Sequence, residues 1–270
     1  MAFVLLTGAT DGIGLKSAEE FAKLGIDLII HGRSKTKLEN IKERLLSLNP
    51  SVKVLTLKAD FSNLSETKDT FECIKSEKIH TLINNAGCFD SKGVITKDGF
   101  GLSYQVNHLA HFLITHILLD TLIKNAPSKI IIVSSMAHAS SVNFEKIEKK
   151  EFSYSHEGYS CSKLCNILFA FKMARLLKHR NVSVNCLHPG VINTKLLIEG
   201  WSACGLDLSS AHKMIMYAYN LQNSVSGEYL KDFEIARATL FAYEIKNQDI
   251  CYKIGLKHLE GYLNGTKANP

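Results

Sequence analysis

The sequence predicts a doubly wound α/β fold: a mostly parallel sheet of about seven strands with helices on both faces. Three observations carry this. Short apolar runs rich in β-branched residues alternate with longer amphipathic ones, the first such run ends in a glycine-rich turn, and no Pro- or Ser-rich linker divides the 270 residues. Strand–helix alternation calls for parallel strands joined by right-handed crossovers, which place helices over both faces. The chain reads as a single domain, 1–270, long enough to bury a sizeable core without metal or disulfide staples.

In chain order, FVLLT (3–7) reads as a buried strand and 13–24 as a helix ending near Gly25. DLIIH (27–31), VKVLTL (52–57), TLIN (81–84), KIIIVS (129–134) and VSVNCL (182–187) are further strands, each too short and too β-branched for a helix. Helical patterns cover about 35–47, 65–76, 101–124, 158–178, 208–221 and 247–263. EKIEKKE (145–151) alternates in charge and is expected to form a solvated loop or helix face.

Composition removes several classes of function. The net charge of +6 is spread along the chain, which argues against a nucleic-acid groove and leaves a field suited to an anionic ligand. The seven cysteines are odd in number and irregularly spaced, as expected of reduced thiols in the cytoplasm. Cys161 and Cys165 share a helical face, but no second Cys/His pair has zinc-ligand spacing around them; His108 and His111 lack a third ligand. No metal is expected. No stretch approaches the roughly 20 apolar residues of a membrane span, and the opening MAFVLLTG meets glycine too early for a signal peptide. The expected location is therefore cytoplasmic.

The first chemical signal is TGATDGIG, with Gly8, Gly12 and Gly14 between the first strand and the first helix. Glycines let backbone turn tightly and approach a phosphate, and the N–H groups and dipole of the helix start favour a pyrophosphate. The second strand ends in IIHGRSKTK, with Gly32 and Arg33 where an NAD site usually has an acid. A guanidinium pairs bidentately with phosphate, so Arg33, helped by Lys37, suits the 2′-phosphate of NADP. The second signal is GYSCSKLCNILF (158–169), which puts Tyr159 and Lys163 one helical turn apart across small residues.

Together these stretches resemble the short-chain dehydrogenase/reductase family, over nearly the whole chain. TGATDGIG matches its TGxxxGxG turn, and NNAG (84–87) its element after the fourth strand. Asn107 in YQVNHLAHF, Ser135 in VSSMAH, Tyr159 and Lys163 match its Asn-Ser-Tyr-Lys tetrad, and HPGVINTKL (188–196) its PG-x-x-x-T segment. TKDGFGLSYQVNHLAHFLIT, SSMAHAS and YSCSKLCNILF look most like the retinol dehydrogenase-like branch, which is typically NADP-linked. Many membrane-bound retinol dehydrogenases carry a hydrophobic N-terminal anchor, whereas this chain opens on its first strand, so the resemblance does not imply membrane residence or a retinoid substrate.

The resemblance implies a Rossmann fold with NADP(H) as cofactor. Gly8, Thr10, Asp11, Gly12, Ile13 and Gly14 would surround the phosphates, with Arg33 and Lys37 at the 2′-phosphate. Asp60 would accept from the adenine amino group with Phe61 beside it. Asn85, Ala86 and Gly87 would line the middle of the site, and Pro189, Gly190, Val191 and Thr194 the nicotinamide end. Tyr159 would be the acid–base group, assisted by Lys163, which also holds ribose hydroxyls. A phenol has a pKa near 10, and a nearby ammonium favours its phenolate. Ser135, in preference to Ser134, would donate to the substrate oxygen, and Asn107 would hold a water in the proton path.

A substrate lid is expected at about 192–222, with Leu197, Ile198, Trp201, Met214 and Tyr217 as apolar lining. The partner would be a moderately apolar small molecule bearing a carbonyl or alcohol; a homodimer is compatible with the sequence. A redox sensor that keeps the cofactor site is disfavoured by the intact tetrad. A sugar-nucleotide epimerase is disfavoured because the chain lacks a large C-terminal substrate domain.

Overall fold

A computed structural model describes residues 2–263; Met1 and 264–270, which the single-domain reading also includes, lie outside the described residues. The strands are β1 (Phe3–Leu6), β2 (Leu28–Gly32), β3 (Val54–Lys58), β4 (Ile79–Asn84), β5 (Ser128–Val133), β6 (Val182–Leu187), β7 (Tyr229–Lys231) and β8 (Glu234–Ala236). They form one sheet in the order β3-β2-β1-β4-β5-β6-β7-β8, parallel throughout except for the antiparallel β7–β8 pair. The sheet thus has eight strands where about seven were expected. The two missed strands are three residues each, too short to display a pattern. β1, β2 and β6 are buried along their whole length; β1 is continuously apolar, while β2 and β6 also bury His31, Ser183 and Asn185. β3, at the edge, alternates buried and exposed.

The helices are α1 (Gly12–Lys23), α2 (Lys35–Leu48), α3 (Leu64–Glu72), α4 (Leu102–Tyr104), α5 (Ala110–Ile117), α6 (Leu119–Lys124), α7 (Phe144–Glu148), α8 (Ser155–Leu176), α9 (Lys195–Trp201), α10 (Lys213–Asn220), α11 (Ile245–His258) and α12 (Glu260–Leu263). Phe21 of α1, Leu38 of α2 and Ile215 of α10 build the core on one face of the sheet. Phe71 of α3, Leu113 of α5, Leu168 of α8 and Ile254 of α11 build it on the other. Each such side chain contributes roughly 1.5–3 kcal/mol when fully buried.

Three helical expectations change in detail. The run 101–124 is broken into α4, a π-helical turn at Gln105–Leu109, α5 and α6. The 208–221 pattern is a 3-10 turn at Leu208–Ser210 followed by α10, and 247–263 divides into α11 and α12. α9 was not foreseen. It starts where the Thr194 side chain accepts a hydrogen bond from Leu197 N, a cap that replaces a lost backbone partner.

β2 and β4 flank β1, so the chain leaves β1 to one side and returns to the other. Ligands in open α/β sheets bind in the crevice that this reversal opens at the carboxyl ends of the strands. The glycine turn, the NNAG element and the segment after β6 all lie there.

Candidate active site

The crevice is a cavity of about 700 Å³. Its wall carries Gly8, Thr10, Asp11, Gly12, Ile13, Gly14, Arg33, Asp60, Phe61, Asn85, Ala86, Gly87, Ser135, Tyr159, Lys163, Pro189, Gly190, Val191 and Thr194. Of the expected catalytic and cofactor-binding residues only Lys37 and Asn107 are not on it. A shallower depression of about 840 Å³, bounded by Arg175, Lys178 and His179, contains none of them.

The glycine turn is pinned from behind. Thr7 Oγ1 accepts from Asn85 N at 2.8 Å and Ala86 N at 3.0 Å, and Asn85 Nδ2 donates to Thr7 O at 2.8 Å. Gly8 has φ of +66°, and a Cβ there would lie 2.7 Å from Ala86 Cα, so only glycine allows this approach. Asp11 caps α1 by accepting from Gly12 N at 2.8 Å and pairs with Lys195 of α9. That ion pair, chiefly, holds the Asp11 carboxyl below its ordinary pKa.

At the far end of β2, Arg33 is exposed, lines the cavity and forms no ion pair among the described residues. Lys37 is exposed on the first turn of α2, where its backbone N donates to Ser34 Oγ. Gly32 offers no room for the acid of an NAD site: a Cβ would sit 2.4 Å from Thr10 Cγ2. Asp60 accepts from Ser62 N (2.9 Å) and Ser62 Oγ (2.8 Å) through one oxygen, leaving Oδ2 for a ligand. Phe61 is buried with its ring stacked on His31, centroids 4.1 Å apart. His31, which sequence reasoning passed over, also lines the cavity. Its Nδ1 accepts from Gly8 N and its Nε2 donates to Ala59 O, and burial lowers its pKa to about 4, so it is neutral at physiological pH.

At the other end, Tyr159 and Lys163 share the buried face of α8, with Lys163 Nζ 5.5 Å from the Tyr159 ring centroid. Ser135 lies against the Tyr159 hydroxyl and favours its ionised form, but burial outweighs this and pushes the phenol up to about 12. Burial likewise lowers Lys163 to about 8, and its Nζ donates to Val133 O at 3.1 Å. In the ligand-free protein desolvation dominates both groups. Ser134 is committed elsewhere, donating to Lys163 O at 2.7 Å, which leaves Ser135 as the serine facing the tyrosine.

Asn107 sits in the π-helical turn, fully buried. Its Nδ2 donates to Cys88 O and Ser162 Oγ (3.0 Å each), and its Oδ1 accepts from Cys88 N at 2.8 Å. Its carbonyl accepts from Asn166 Nδ2 and His111 Nδ1. Asn107 thus braces the loop after β4 against α8, and its Oδ1, which accepts a single bond here, keeps a second lone pair. Asn166, unremarked in the sequence, joins this brace from one turn beyond Lys163.

Trp201 comes over Tyr159, their ring centroids 5.1 Å apart, with Phe89 and His156 completing an aromatic cluster. Leu196 and Leu197 add apolar wall, and the lining of this side ends at Ala203. Ile198 is exposed and off the wall. Met214 and Tyr217 belong to α10, which packs in the core on the α1 face of the sheet. They do not line the cavity, although they fall within the segment expected to be lid.

A doubly wound sheet with a glycine turn at its switch point defines a Rossmann-type domain. The chain belongs to the short chain dehydrogenase family, which matches residues 2–203, and lies in its retinol dehydrogenase-like branch. It is 36% identical over 197 residues to retinol dehydrogenase 11 of Homo sapiens, a match covering 72% of this chain and 62% of that protein. The match thus spans less than two thirds of that relative's length. An uncharacterized protein from Mycobacterium paratuberculosis superposes with a TM-score of 0.79 at 24% identity, over 96% of this chain and 94% of its own. NADPH-bound carbonyl reductase from chicken fatty liver does so with 0.67 at 21%, over 88% and 98%. Among the described residues no helix is long and apolar enough to cross a membrane.

Proposed function

We propose that the protein is an NADP(H)-dependent oxidoreductase that interconverts the carbonyl and alcohol of a moderately apolar, retinoid- or steroid-like small molecule. The observation that carries this is one cavity with the glycine turn and Arg33 at one end and Ser135, Tyr159 and Lys163 at the other. The cavity fits a dinucleotide: Gly8 lets the backbone approach closely, Asp60 keeps an acceptor oxygen free, and Arg33 forms no ion pair among the described residues. Arg33 would hold the 2′-phosphate, the start of α1 the pyrophosphate, and Lys163 the ribose hydroxyls. Asp60 would accept from the adenine amino group, and Pro189 to Thr194 would flank the nicotinamide.

The cofactor, when bound, supplies or accepts the hydride. Tyr159 donates the proton to the carbonyl oxygen in reduction and removes it in oxidation, a task for which a buried phenol that stays protonated is suited in the reducing direction. Ser135, within reach of the same oxygen, stabilises its developing charge. Trp201, Phe89 and Leu197 exclude water and give an apolar substrate its wall. That wall, the name of the retinol dehydrogenase relative and the NADPH held by the carbonyl reductase neighbour all support this reading.

The test is oxidation of NADPH against a panel of aldehydes and ketones of graded polarity. Turnover should favour apolar members. A chain that binds NADPH but turns over nothing would point to a cofactor sensor, and faster use of a small charged carbonyl than of its apolar analogue would overturn the substrate class.

A further inference from the structure

Behind the catalytic helix, the thiols of Cys165 and Cys251 and an imidazole nitrogen of His108 lie within 4.8 Å of one another, and all three residues are buried. They come from three elements: α8, α11 and the π-helical turn. Hydrogen bonding fixes the histidine. Asn166 Nδ2 donates to Asn107 O (2.9 Å) and Val133 O (3.4 Å), so Asn166 Oδ1 is an acceptor and His108 Nδ1, 3.1 Å away, carries the proton. That leaves Nε2 with its lone pair. Nε2 is buried and has no hydrogen-bond partner among the described residues.

We propose that this cluster is a buried zinc site, with His108 Nε2, Cys165 Sγ and Cys251 Sγ as ligands. Two thiolates and an imidazole select zinc over magnesium or calcium, which prefer oxygen. The Asn166 carbonyl on Nδ1–H is the kind of outer partner that orients a ligating histidine. Zinc with two thiolates and a neutral imidazole carries no net charge, so burial does not oppose it. A site of this kind would clamp α11 to α8 and to the turn bearing Asn107. Its ligands are scattered over the sequence, so no zinc spacing announces it.

Proton balance makes the proposal specific. A thiol binds zinc as the thiolate, so each Zn–S bond that forms releases a thiol proton to solvent, and affinity should rise steeply with pH.

The experiment uses the full chain, stripped with a chelator under reducing conditions and titrated with cobalt(II), a spectroscopic stand-in for zinc. One equivalent should produce thiolate-to-cobalt charge-transfer absorption and the intense visible bands of a tetrahedral site, bleached by one equivalent of zinc and steeply dependent on pH. Cys251→Ser should lose much of the charge-transfer intensity and weaken binding at least about a hundredfold, while Cys73→Ser, on an exposed thiol elsewhere, should change nothing. X-ray absorption of the unmodified zinc-loaded chain should give a sulfur-and-nitrogen shell, a result that does not depend on any variant folding. No tetrahedral cobalt spectrum, an oxygen-only zinc shell, or a spectrum unchanged by Cys251→Ser would each overturn the proposal.

Discussion

Replacing Lys163 by methionine should make the ligand-free protein more stable while impairing its function. Lys163 is 3% exposed, and burial takes its pKa from 10.5 to about 8. At about 1.4 kcal/mol per tenfold change in proton affinity, holding the charge in place costs about 3 kcal/mol at pH 7. Removing the side chain also removes its hydrogen bond to Val133 O, worth roughly 1.5–2 kcal/mol for a charged donor. The net gain is about 1–2 kcal/mol, a rise in Tm of roughly 3–6 °C. The sign with pH is also fixed. Between about pH 8 and 10.5 the unfolded chain still holds the Lys163 proton that the folded chain has released, so the unmodified protein gains stability as pH rises through this window. The advantage of Lys163→Met should therefore be present at pH 7, vanish within this window and be reversed near pH 10.5. Thermal denaturation of both proteins without cofactor, at matched pH values, reads this difference directly. A variant less stable than the parent at pH 7, or an advantage that persists unchanged at pH 10.5, would refute the reasoning. The same variant should bind NADPH more weakly.

Other outcomes follow from single contacts. Arg33→Ala should weaken NADPH binding by about one to two decades, the worth of a charge-assisted phosphate contact, with little effect on NADH; equal affinities of the unmodified protein for the two cofactors, measured by nicotinamide fluorescence, would contradict the assignment. An acid at Gly32 is not expected to convert the protein to NAD use, since its Cβ has no room beside Thr10; a folded, NAD-preferring Gly32→Asp would show otherwise. Trp201→Ala should raise KM for an apolar substrate about five- to tenfold, the scale of a lost aromatic contact, and leave KM for a small polar carbonyl nearly unchanged. Thr7→Val should destabilise by about 1–3 kcal/mol in urea denaturation, because Asn85 N and Ala86 N lose their acceptor.

The sheet's six longest strands and the glycine turn were legible because short runs rich in β-branched residues stand out between amphipathic helices, and because a close backbone approach admits only glycine. β7 and β8, three residues each, leave no such mark, and the π-helical turn at Asn107 has the same apolar spacing as an ordinary helix. Residue types alone brought the ends of the site to notice: Arg33 by its charge, Tyr159 and Lys163 by their spacing. Their electrostatics were not legible, since desolvation of Tyr159 and Lys163 depends on what packs around α8. Met214 and Tyr217 were misread because an amphipathic helix does not announce which face of the sheet it covers. His31, Asn166 and the pairing of His108 with Cys165 and Cys251 arise from contacts between distant segments, and no local pattern encodes them.

The central claim is that Tyr159 moves the proton of a carbonyl reduction driven by NADPH. It is tested most directly by single-turnover reduction of an apolar aldehyde by the unmodified chain and by Tyr159→Phe, with NADPH affinity measured on both. The account predicts unchanged NADPH affinity and a loss of at least about a hundredfold in the rate of the chemical step. A Tyr159→Phe chain that reduces the aldehyde at the parent's rate would contradict it.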